Sequence, residues 1–256
     1  MRKLNIAIIG LGNIGSYLFK YLNDNKKILT EKNNCQPVIR YVSAKNKKRK
    51  RNFKISKNQW LDNYLSATTN KNVDLIVELI GGAEGPAKKL VFNALKNKKH
   101  VVTANKALIA KYGDQLSKIA EKNNVNLEFE ASVCGGVPII RSLKESLIAN
   151  KISRIYGIFN GTSNYILTCM DKQNKSFDEV LSNAKSLGYA EANPSSDLNG
   201  DDVSSKLKIL SSLCFNSFLN NKIYVEGINK IDKTDIVNAN KLGYKIKLLG
   251  FAEVLN

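Results

Sequence analysis

Residues 4–15 read LNIAIIGLGNIG, a short apolar run that ends in three closely spaced glycines. The apolar run predicts a buried strand, and apolar side chains at helical spacing follow the glycines. In such a turn the first glycine permits a sharp reversal, the second lets a phosphate approach, and the third lets helix and strand pack closely. The start of the helix also offers backbone N–H groups to an anion. The predicted dinucleotide-binding residues of this turn are Gly10, Gly12, Asn13, Ile14 and Gly15.

Strands and helices alternate from this turn to residue 131. The predicted strands are 38–44, 74–80, 101–103 and 127–131, and the predicted helices between them are 86–95 and 108–121. This alternation is typical of an α/β fold with a doubly wound parallel sheet, a Rossmann domain, which we assign to residues 1–137.

The pattern changes after the segment GGVP at 135–138. A helix is predicted at 139–149, a strand at 152–159, and helices at 178–187 and 201–213. We therefore predict a second, α+β domain over residues 138–256.

The chain is strongly basic, with 40 Lys+Arg against 22 Asp+Glu and a net charge of +18. Such a charge makes a nucleic-acid-binding module one alternative. However, 34 of the cations are lysine and only 6 are arginine, while asparagine reaches 32. Arginine is the usual phosphate and base reader, and only Phe53 interrupts the cations of residues 45–57 as a stacking aromatic. We therefore favour a compositional bias, and predict no nucleic-acid partner.

The cofactor type is predicted from the end of the second strand. NAD enzymes usually carry an acidic residue there for the ribose hydroxyl. This chain has SAKNKKRKR at 43–51 and no acidic residue between Glu31 and Asp62. Cations at this position suit a 2′-phosphate, so NADP is favoured over NAD, with Arg40 and Lys45 as candidate contacts. A solvated basic loop is the alternative interpretation.

Scarce carboxylates gather near one lysine in the second half of the chain. Glu191, Asp197 and Asp202 lie within twelve residues of one another, and Lys206 follows Asp202 at the i,i+4 spacing of a helix face. The group suits binding of an ammonium group and orientation of a lysine. An ordinary surface ion pair has the same spacing, and the spacing alone leaves both interpretations open.

Other candidates follow predicted strands, where ligands bind in doubly wound sheets. Gly81 follows the strand at 74–80, and Thr103 ends the next strand, with Lys106 just beyond it. The segment 130–138 contains Glu130 and the paired glycines Gly135 and Gly136. It could hold a monovalent cation or simply connect two domains. With a single histidine and no ligand cluster, a zinc mechanism is disfavoured.

Six stretches, taken in order, resemble the homoserine dehydrogenase family. They are IAIIGLGNIG, VELIGG (77–82), TANKALIA, EASVCGGVPII, FNGTSNYIL (159–167) and GYAEANPSSDLNGDDVSSKLKIL (188–210). The resemblance implies NAD(P)-dependent interconversion of L-aspartate 4-semialdehyde and L-homoserine, in the biosynthesis of threonine and methionine from aspartate. It also implies a cytoplasmic homodimer with small-molecule substrates and no membrane partner. Another NADP-dependent oxidoreductase of amino or hydroxy acids is the nearest alternative.

The resemblance also implies a role for individual positions. Lys206 matches the acid/base lysine, Asp202 the aspartate one turn before it, and Lys106 the lysine between cofactor and substrate. Substrate-binding positions are matched by Glu191, Asp197, Gly161 and Thr162. Positions around a structural sodium ion are matched by Glu130, Val133, Gly135 and Val137. Since the family's later Gly-Ala-Gly and Thr-Ala segments are missing, we expect the second domain to be incomplete.

Overall fold

The computed structural model describes residues 1–215 and 223–255. The chain forms two compact units, Met1–Ile139 and Ile140–Asn256. Each unit has its own secondary structure and its own buried core.

The first unit is built on a five-stranded sheet in which every neighbouring pair is parallel. Its strands are β1 (Arg2–Ile9), β2 (Cys35–Ser43), β3 (Leu75–Glu78), β4 (His100–Thr103) and β5 (Leu127–Glu128). Their order across the sheet is β2-β1-β3-β4-β5. The predicted doubly wound parallel sheet is therefore confirmed.

The central strand β1 explains the apolar run with which the chain begins. Ile6, Ala7, Ile8 and Ile9 are at most 4% exposed. Successive side chains of a strand point to opposite faces, so four buried residues in a row mean that both faces are covered. Burial on both faces is what a parallel sheet with helices on either side requires.

Helices and short turns connect the strands of this unit. They are α1 (Asn13–Asp24), α2 (Lys26–Asn33), α3 (Ser66–Thr69), α4 (Pro86–Lys96) and α5 (Lys106–Lys122). The sequence did not predict α2, whose composition is largely polar. Strand β5 stops at Glu128, short of the predicted residue 131, because the chain turns into a 3-10 helix at Glu130–Ser132. The Ser132 hydroxyl closes that turn by donating to the Phe129 carbonyl at 2.5 Å.

The second unit combines helices with a two-stranded antiparallel sheet. Its strands are β6 (Arg154–Gly157) and β7 (Gly250–Glu253). Its helices are α7 (Gly161–Gln173), α8 (Phe177–Ser186), α9 (Ser195–Leu198), α10 (Asp201–Phe215) and α11 (Lys233–Lys241), preceded by α6 (Ile139–Arg141) at the junction with the first unit. The predicted helix 139–149 is wrong beyond α6, because the backbone widens into a π-helix at Ser142–Ser146.

The core of the second unit forms where α7 packs against α8. Ile166, Leu167 and Met170 of α7 are at most 1% exposed, and they meet the buried Val180 and Ala184 of α8. Within residues 1–215 and 223–255, no helix combines the length and the apolar character needed to cross a membrane.

Candidate functional site

The glycine turn lies at the carboxyl edge of the first unit's sheet. Ile9, Glu78 and Thr103 are aligned partners at the ends of β1, β3 and β4, so the loops that follow them start at one edge. Gly10 has a φ of +110°, and a Cβ there would lie 2.4 Å from the Leu79 carbonyl oxygen. A Cβ at Gly15 would lie 1.9 Å from the Gly10 carbonyl oxygen. The two glycines are therefore required by the close packing of turn, strand and helix.

Gly12 differs from both, because a Cβ at this position would have no neighbour within 4 Å. Gly12 is the N-cap of α1, and no side chain caps that helix. Gly12 and the first residues of α1 line a cavity of about 490 Å³. The cavity is lined by Gly12–Gly15, Arg49, Glu78–Gly81, Ala104 and Asn105. An uncapped helix N-terminus beside open space is suited to an anionic group.

A buried carboxylate organises two loops beside this cavity. Glu78 is fully buried, and its Oε1 accepts the backbone N–H groups of Ile80 (2.7 Å) and Gly81 (3.0 Å). Its Oε2 accepts the hydroxyl of Thr103 at 2.5 Å. The side chain of Thr103, predicted as a cofactor contact, is therefore directed into the protein, and it holds Glu78 in place.

Asn105 continues the same network. Its backbone N–H donates to the Thr103 hydroxyl at 3.0 Å, and its carboxamide donates to the Gly82 carbonyl at 2.7 Å. Its Oδ1 caps α5 by accepting the N–H of Leu108. Lys106, half-buried, is the first residue of α5, so this network also fixes the backbone that carries it.

The basic loop after β2 is held by Arg51. Its guanidinium donates to the carbonyl oxygens of Asn46 and Arg49 at 3.1 and 2.9 Å, and its Cζ lies over the Trp60 ring, 5.4 Å from the ring centroid. Burial lowers the pKa of Arg51, and Arg49 adds to that effect. Held in this shape, the loop presents Arg49 to the cavity beside Gly12.

The two cations that the sequence singled out occupy other positions. Arg40 lies within β2, and its guanidinium donates to Asn5 Oδ1 at 2.7 Å. Asn5 in turn donates to Asp74, the residue before β3, so this group lies toward the amino ends of the strands. Lys45 is exposed on the loop. Of the three cations, Arg49 is the one that lines the cavity.

The predicted cation turn begins within the 3-10 helix Glu130–Ser132 and continues through the residues after it. Val133 is buried, whereas Gly135 and Val137 are exposed. The Val137 carbonyl accepts the N–H of Ile139 at 2.8 Å. Among the residues that the structure describes, no group of three or more His, Cys, Asp or Glu side chains is arranged to hold a metal ion. Ligation at this turn would therefore rest on Glu130 and on carbonyl oxygens.

The second unit brings the predicted lysine and two of the predicted carboxylates together. The Lys206 ammonium lies 2.9 Å from Asp202 Oδ2 and donates to the Phe159 carbonyl at 2.8 Å. The side chains of Asp202 and Lys206 are 2% and 16% exposed. Asp197 joins them through Asn160, whose carboxamide donates to Asp197 Oδ1 at 2.8 Å and to Asp202 Oδ2 at 2.9 Å. A surface ion pair, the alternative that the spacing left open, is excluded by this burial.

The remaining predicted substrate positions surround this group. Gly161 is the exposed first residue of α7, and Thr162 donates its hydroxyl to the Tyr189 carbonyl at 2.8 Å. This hydrogen bond holds Tyr189, and with it the segment that leads to Glu191, beside the start of α7. Glu191 itself is exposed, and it makes no hydrogen bond or ion pair within the part of the chain that the structure describes.

Sequence reasoning missed Glu78, Arg49 and Asn160. Glu78 carried a signal, since a lone carboxylate in the apolar run at 74–80 needs partners when that strand is buried. Arg49 is one of several cations in a single run, and nothing in the sequence distinguishes it from its neighbours. The sequence predicted no helix that begins after Asn160, and only the fold makes it the N-cap of α7 and brings its carboxamide to residues 37 and 42 positions away.

The parallel sheet, the open glycine turn and the buried lysine–aspartate pair define a two-unit α/β chain of the Rossmann class. The family model for homoserine dehydrogenase matches residues 138–255, and the model for its NAD-binding domain matches residues 10–130. The chain belongs to the homoserine dehydrogenase family.

Individual relatives agree with this assignment. Homoserine dehydrogenase of Neisseria gonorrhoeae is 42% identical over 251 residues, which are 98% of this chain and 57% of the relative. A solved homoserine dehydrogenase from Thiobacillus denitrificans is 38% identical, with a TM-score of 0.91, over 100% of this chain and 59% of that one. A hyperthermophilic archaeal homoserine dehydrogenase in complex with NADPH is 25% identical, with a TM-score of 0.79, over 98% and 79% of the two chains. The chain thus spans less than two thirds of the length of the first two proteins.

Proposed function

We propose that the protein is an NAD(P)-dependent homoserine dehydrogenase that interconverts L-homoserine and L-aspartate 4-semialdehyde. The observation that carries the proposal is the buried ion pair of Lys206 and Asp202, 2.9 Å apart, with Asp197 joined to it through Asn160. Asp202 is buried, and Lys206 and Asp197 are partly buried, which costs free energy, and such groups cluster at functional sites more often than elsewhere. Family membership supplies the reaction and the substrates.

The first unit's residues fit a nicotinamide dinucleotide. The open space above Gly12 and the uncapped N-terminus of α1 suit its pyrophosphate. Gly10 and Gly15 support this turn, and Asn13, Ile14 and Gly81 line the same cavity. When bound, the cofactor would donate or accept the hydride.

The second unit supplies the proton chemistry. In the reducing direction the aldehyde carbon gains a hydride, and the oxygen becomes an alkoxide that takes a proton. We assign that proton to the ammonium of Lys206, whose contacts with Asp202 and the Phe159 carbonyl fix its direction. Asp202 holds the lysine, and Lys106, at the start of α5, is the second proposed catalytic lysine, because it matches the family's lysine between cofactor and substrate.

The carboxylates account for substrate selection. L-homoserine and the semialdehyde both carry an α-ammonium group, for which Glu191 and Asp197 are the candidate acceptors. Gly161, at the start of α7, offers a backbone N–H to the substrate carboxylate, and Thr162 positions the neighbouring segment.

The test follows NADPH absorbance in the purified full-length protein supplied with L-homoserine and NADP. We expect homoserine-dependent turnover, and a loss of about 10²-fold or more in kcat for Lys206→Ala. Lys185→Ala is the matched control, because Lys185 is an exposed helix lysine of the same unit. Absence of homoserine-dependent turnover in the folded protein would refute the activity. Full activity of Lys206→Ala would refute the role of the lysine.

We further propose that NADP is preferred to NAD. The support is the run of cations from Lys45 to Arg51, the placement of Arg49 on the cavity wall, and the lack of an acidic residue at the end of β2. Arg40 and Lys45 also remain proposed contacts, although Arg40 is engaged by Asn5 and Lys45 does not line the cavity.

We also propose that the enzyme is a cytoplasmic homodimer, formed through the sheet of the second unit. Gly250 faces inward, since a Cβ there would lie 3.2 Å from Val203 of α10. The neighbouring cross-strand pair Tyr156 and Phe251 points to the opposite face and is exposed by 68% and 55%. Light scattering should give twice the monomer mass, and Tyr156→Lys should shift it toward the monomer.

Finally, we propose a structural sodium ion at the turn of Glu130, Val133, Gly135 and Val137. One carboxylate and several carbonyl oxygens are the kind of donor set that a hard cation takes. The Val137 carbonyl already accepts one backbone bond, which leaves it one lone pair for a cation. Thermal unfolding in sodium against tetramethylammonium salts tests the proposal, and an unchanged Tm would refute it.

A further inference from the structure

Asn160 lies at the centre of the second unit's polar cluster, and the function proposed above uses it only as the link between Asp197 and Asp202. It is 5% exposed and forms the N-cap of α7. Its Oδ1 accepts the N–H of Ser163 at 2.8 Å, and its Nδ2 lies 2.8 Å from Asp197 Oδ1 and 2.9 Å from Asp202 Oδ2. This one buried side chain therefore links the start of α7 to the carboxylates of Asp197 and Asp202.

The orientation of this carboxamide follows from the chemistry of its neighbours. A backbone N–H can only donate, so the atom facing Ser163 must be the oxygen. Ionised carboxylates can only accept, so the atom facing Asp197 and Asp202 must be the nitrogen. Both N–H groups of the amide are thereby used, one for each carboxylate.

The neutral charge of Asn160 matters as much as its hydrogen bonds. Two carboxylates drawn to one point repel each other, and the ammonium of Lys206 is the cation that offsets them. A neutral double donor holds both carboxylates in place without competing for Lys206. A carboxylate at this position would add repulsion, and an ammonium would provide a second ion-pair partner.

The backbone beside Asn160 acts on the same lysine. Lys206 donates to the carbonyl of Phe159, the preceding residue, and its other contact is the Asp202 oxygen that Asn160 also binds. The segment 159–160 therefore sets the direction of the ammonium from two sides, once by a carbonyl and once through the aspartate.

We propose that Asn160 is a positioning residue that holds Asp197 and Asp202 so that the Lys206 ammonium is directed at the bound substrate. The inference rests on the proposed function, since it assigns Asn160 a part in the same proton transfer. It adds a residue that neither carries the proton nor pairs with the lysine directly.

Asn160→Ser separates positioning from helix capping. A serine hydroxyl can still accept the N–H of Ser163, and serine is a favourable N-cap. Its single O–H cannot serve two carboxylates. We expect kcat with L-homoserine to fall by about tenfold to 10²-fold, and KM for NADP to stay within about twofold, because the cofactor turn belongs to the other unit. Ser176→Ala is the control, since it removes an exposed N-cap from α8 in the same unit.

Asn160→Asp supplies a second, nearly isosteric variant. It keeps the cap and the shape, but replaces the double donor with a third carboxylate, so kcat should fall at least as far as in the serine variant. Wild-type kcat in both Asn160 variants would overturn the proposal. A loss that Ser176→Ala reproduces would also overturn it, since the effect would then reflect general destabilisation.

A structural readout keeps this inference distinct from the proposed function. If the wild-type protein shows no homoserine turnover, the proposed function fails, and crystal structures of the Asn160 variants decide the inference. Separation of Lys206 Nζ from Asp202 Oδ2 beyond about 4 Å would support it. Retention of the wild-type distance of 2.9 Å in both variants would overturn it.

Discussion

The hydroxyl of Thr103 donates a 2.5 Å hydrogen bond to Oε2 of Glu78, which joins the ends of β4 and β3 inside the first unit. Both residues are 0% exposed. Because Glu78 also accepts the N–H groups of Ile80 and Gly81, this one contact fixes the loops that line the cavity beside the glycine turn. The positions of the loops after β3 and β4 therefore depend on the buried Glu78 carboxylate.

Glu78→Ala should lower both stability and cofactor affinity. The substitution leaves the buried Thr103 hydroxyl and two more exposed backbone N–H groups without their acceptor, and we expect the free energy of unfolding to fall by about 2 kcal/mol. Urea denaturation and NADPH fluorescence titration measure the two effects. Thr103→Val, which removes one donor and keeps the side-chain shape, should cost about 1 kcal/mol. Equal losses in the two variants would contradict the central position of Glu78.

Two glycine substitutions distinguish a ligand-binding turn from a purely structural one. Gly12→Ala places its methyl in open space, so stability should change by less than about 1 kcal/mol. The Kd for NADPH should nevertheless rise by roughly tenfold, because that space is where a pyrophosphate would approach. Calorimetric titration and thermal unfolding provide the measurements. Unchanged affinity would show that Gly12 does not face the cofactor.

Gly15→Ala is the matched contrast. Its methyl would overlap the Gly10 carbonyl oxygen at 1.9 Å, and the turn would have to move. We expect a loss of about 2 to 3 kcal/mol in the free energy of unfolding. A Gly15→Ala variant as stable as Gly12→Ala would refute the close packing of the turn.

Arg49→Glu tests the proposed preference for NADP and should reduce it. Replacing a cation on the cavity wall by an anion removes a charge-assisted contact and introduces repulsion, so the ratio of kcat/KM for NADP to that for NAD should fall at least about tenfold. Arg40→Ala and Lys45→Glu are the comparisons, and both should change the ratio less. If Lys45→Glu changed the ratio more than Arg49→Glu, Lys45 and not Arg49 would be the residue that binds the 2′-phosphate.

The Glu84 carboxylate predicts an acid-dependent contribution to stability. Hydrogen bonds from Lys111, Tyr112 and Lys88, in that order of effect, lower the pKa of Glu84 from 4.5 to about 2. A carboxylate with a lowered folded-state pKa stabilises the fold fully above its unfolded value, and this contribution disappears as the pH falls from 4.5 toward 2. The wild-type advantage over Glu84→Gln in urea should therefore shrink between pH 6 and pH 3. An advantage that is constant over this range would contradict the assignment.

Much of the first unit was predictable because its signals are local. The apolar run of β1 and the glycine spacing each arise from residues adjacent in sequence, and the alternation of strands with helices then dictates a parallel sheet. Two local features, one in each unit, were predicted wrongly. The π-helix at Ser142–Ser146 and the early end of β5 depend on backbone geometry that side-chain periodicity does not encode.

The sequence by itself determined the fold class, the glycine turn and the pairing of Asp202 with Lys206, since i,i+4 residues of a helix share a face. Only the tertiary structure showed that this pair is buried, that Asn160 joins Asp197 to it, and that Arg49 lines the cavity while Arg40 bonds to Asn5. The physical reason is distance along the chain. Hydrogen bonds between residues dozens of positions apart exist only after the sheet and helices have packed, and no local pattern records them.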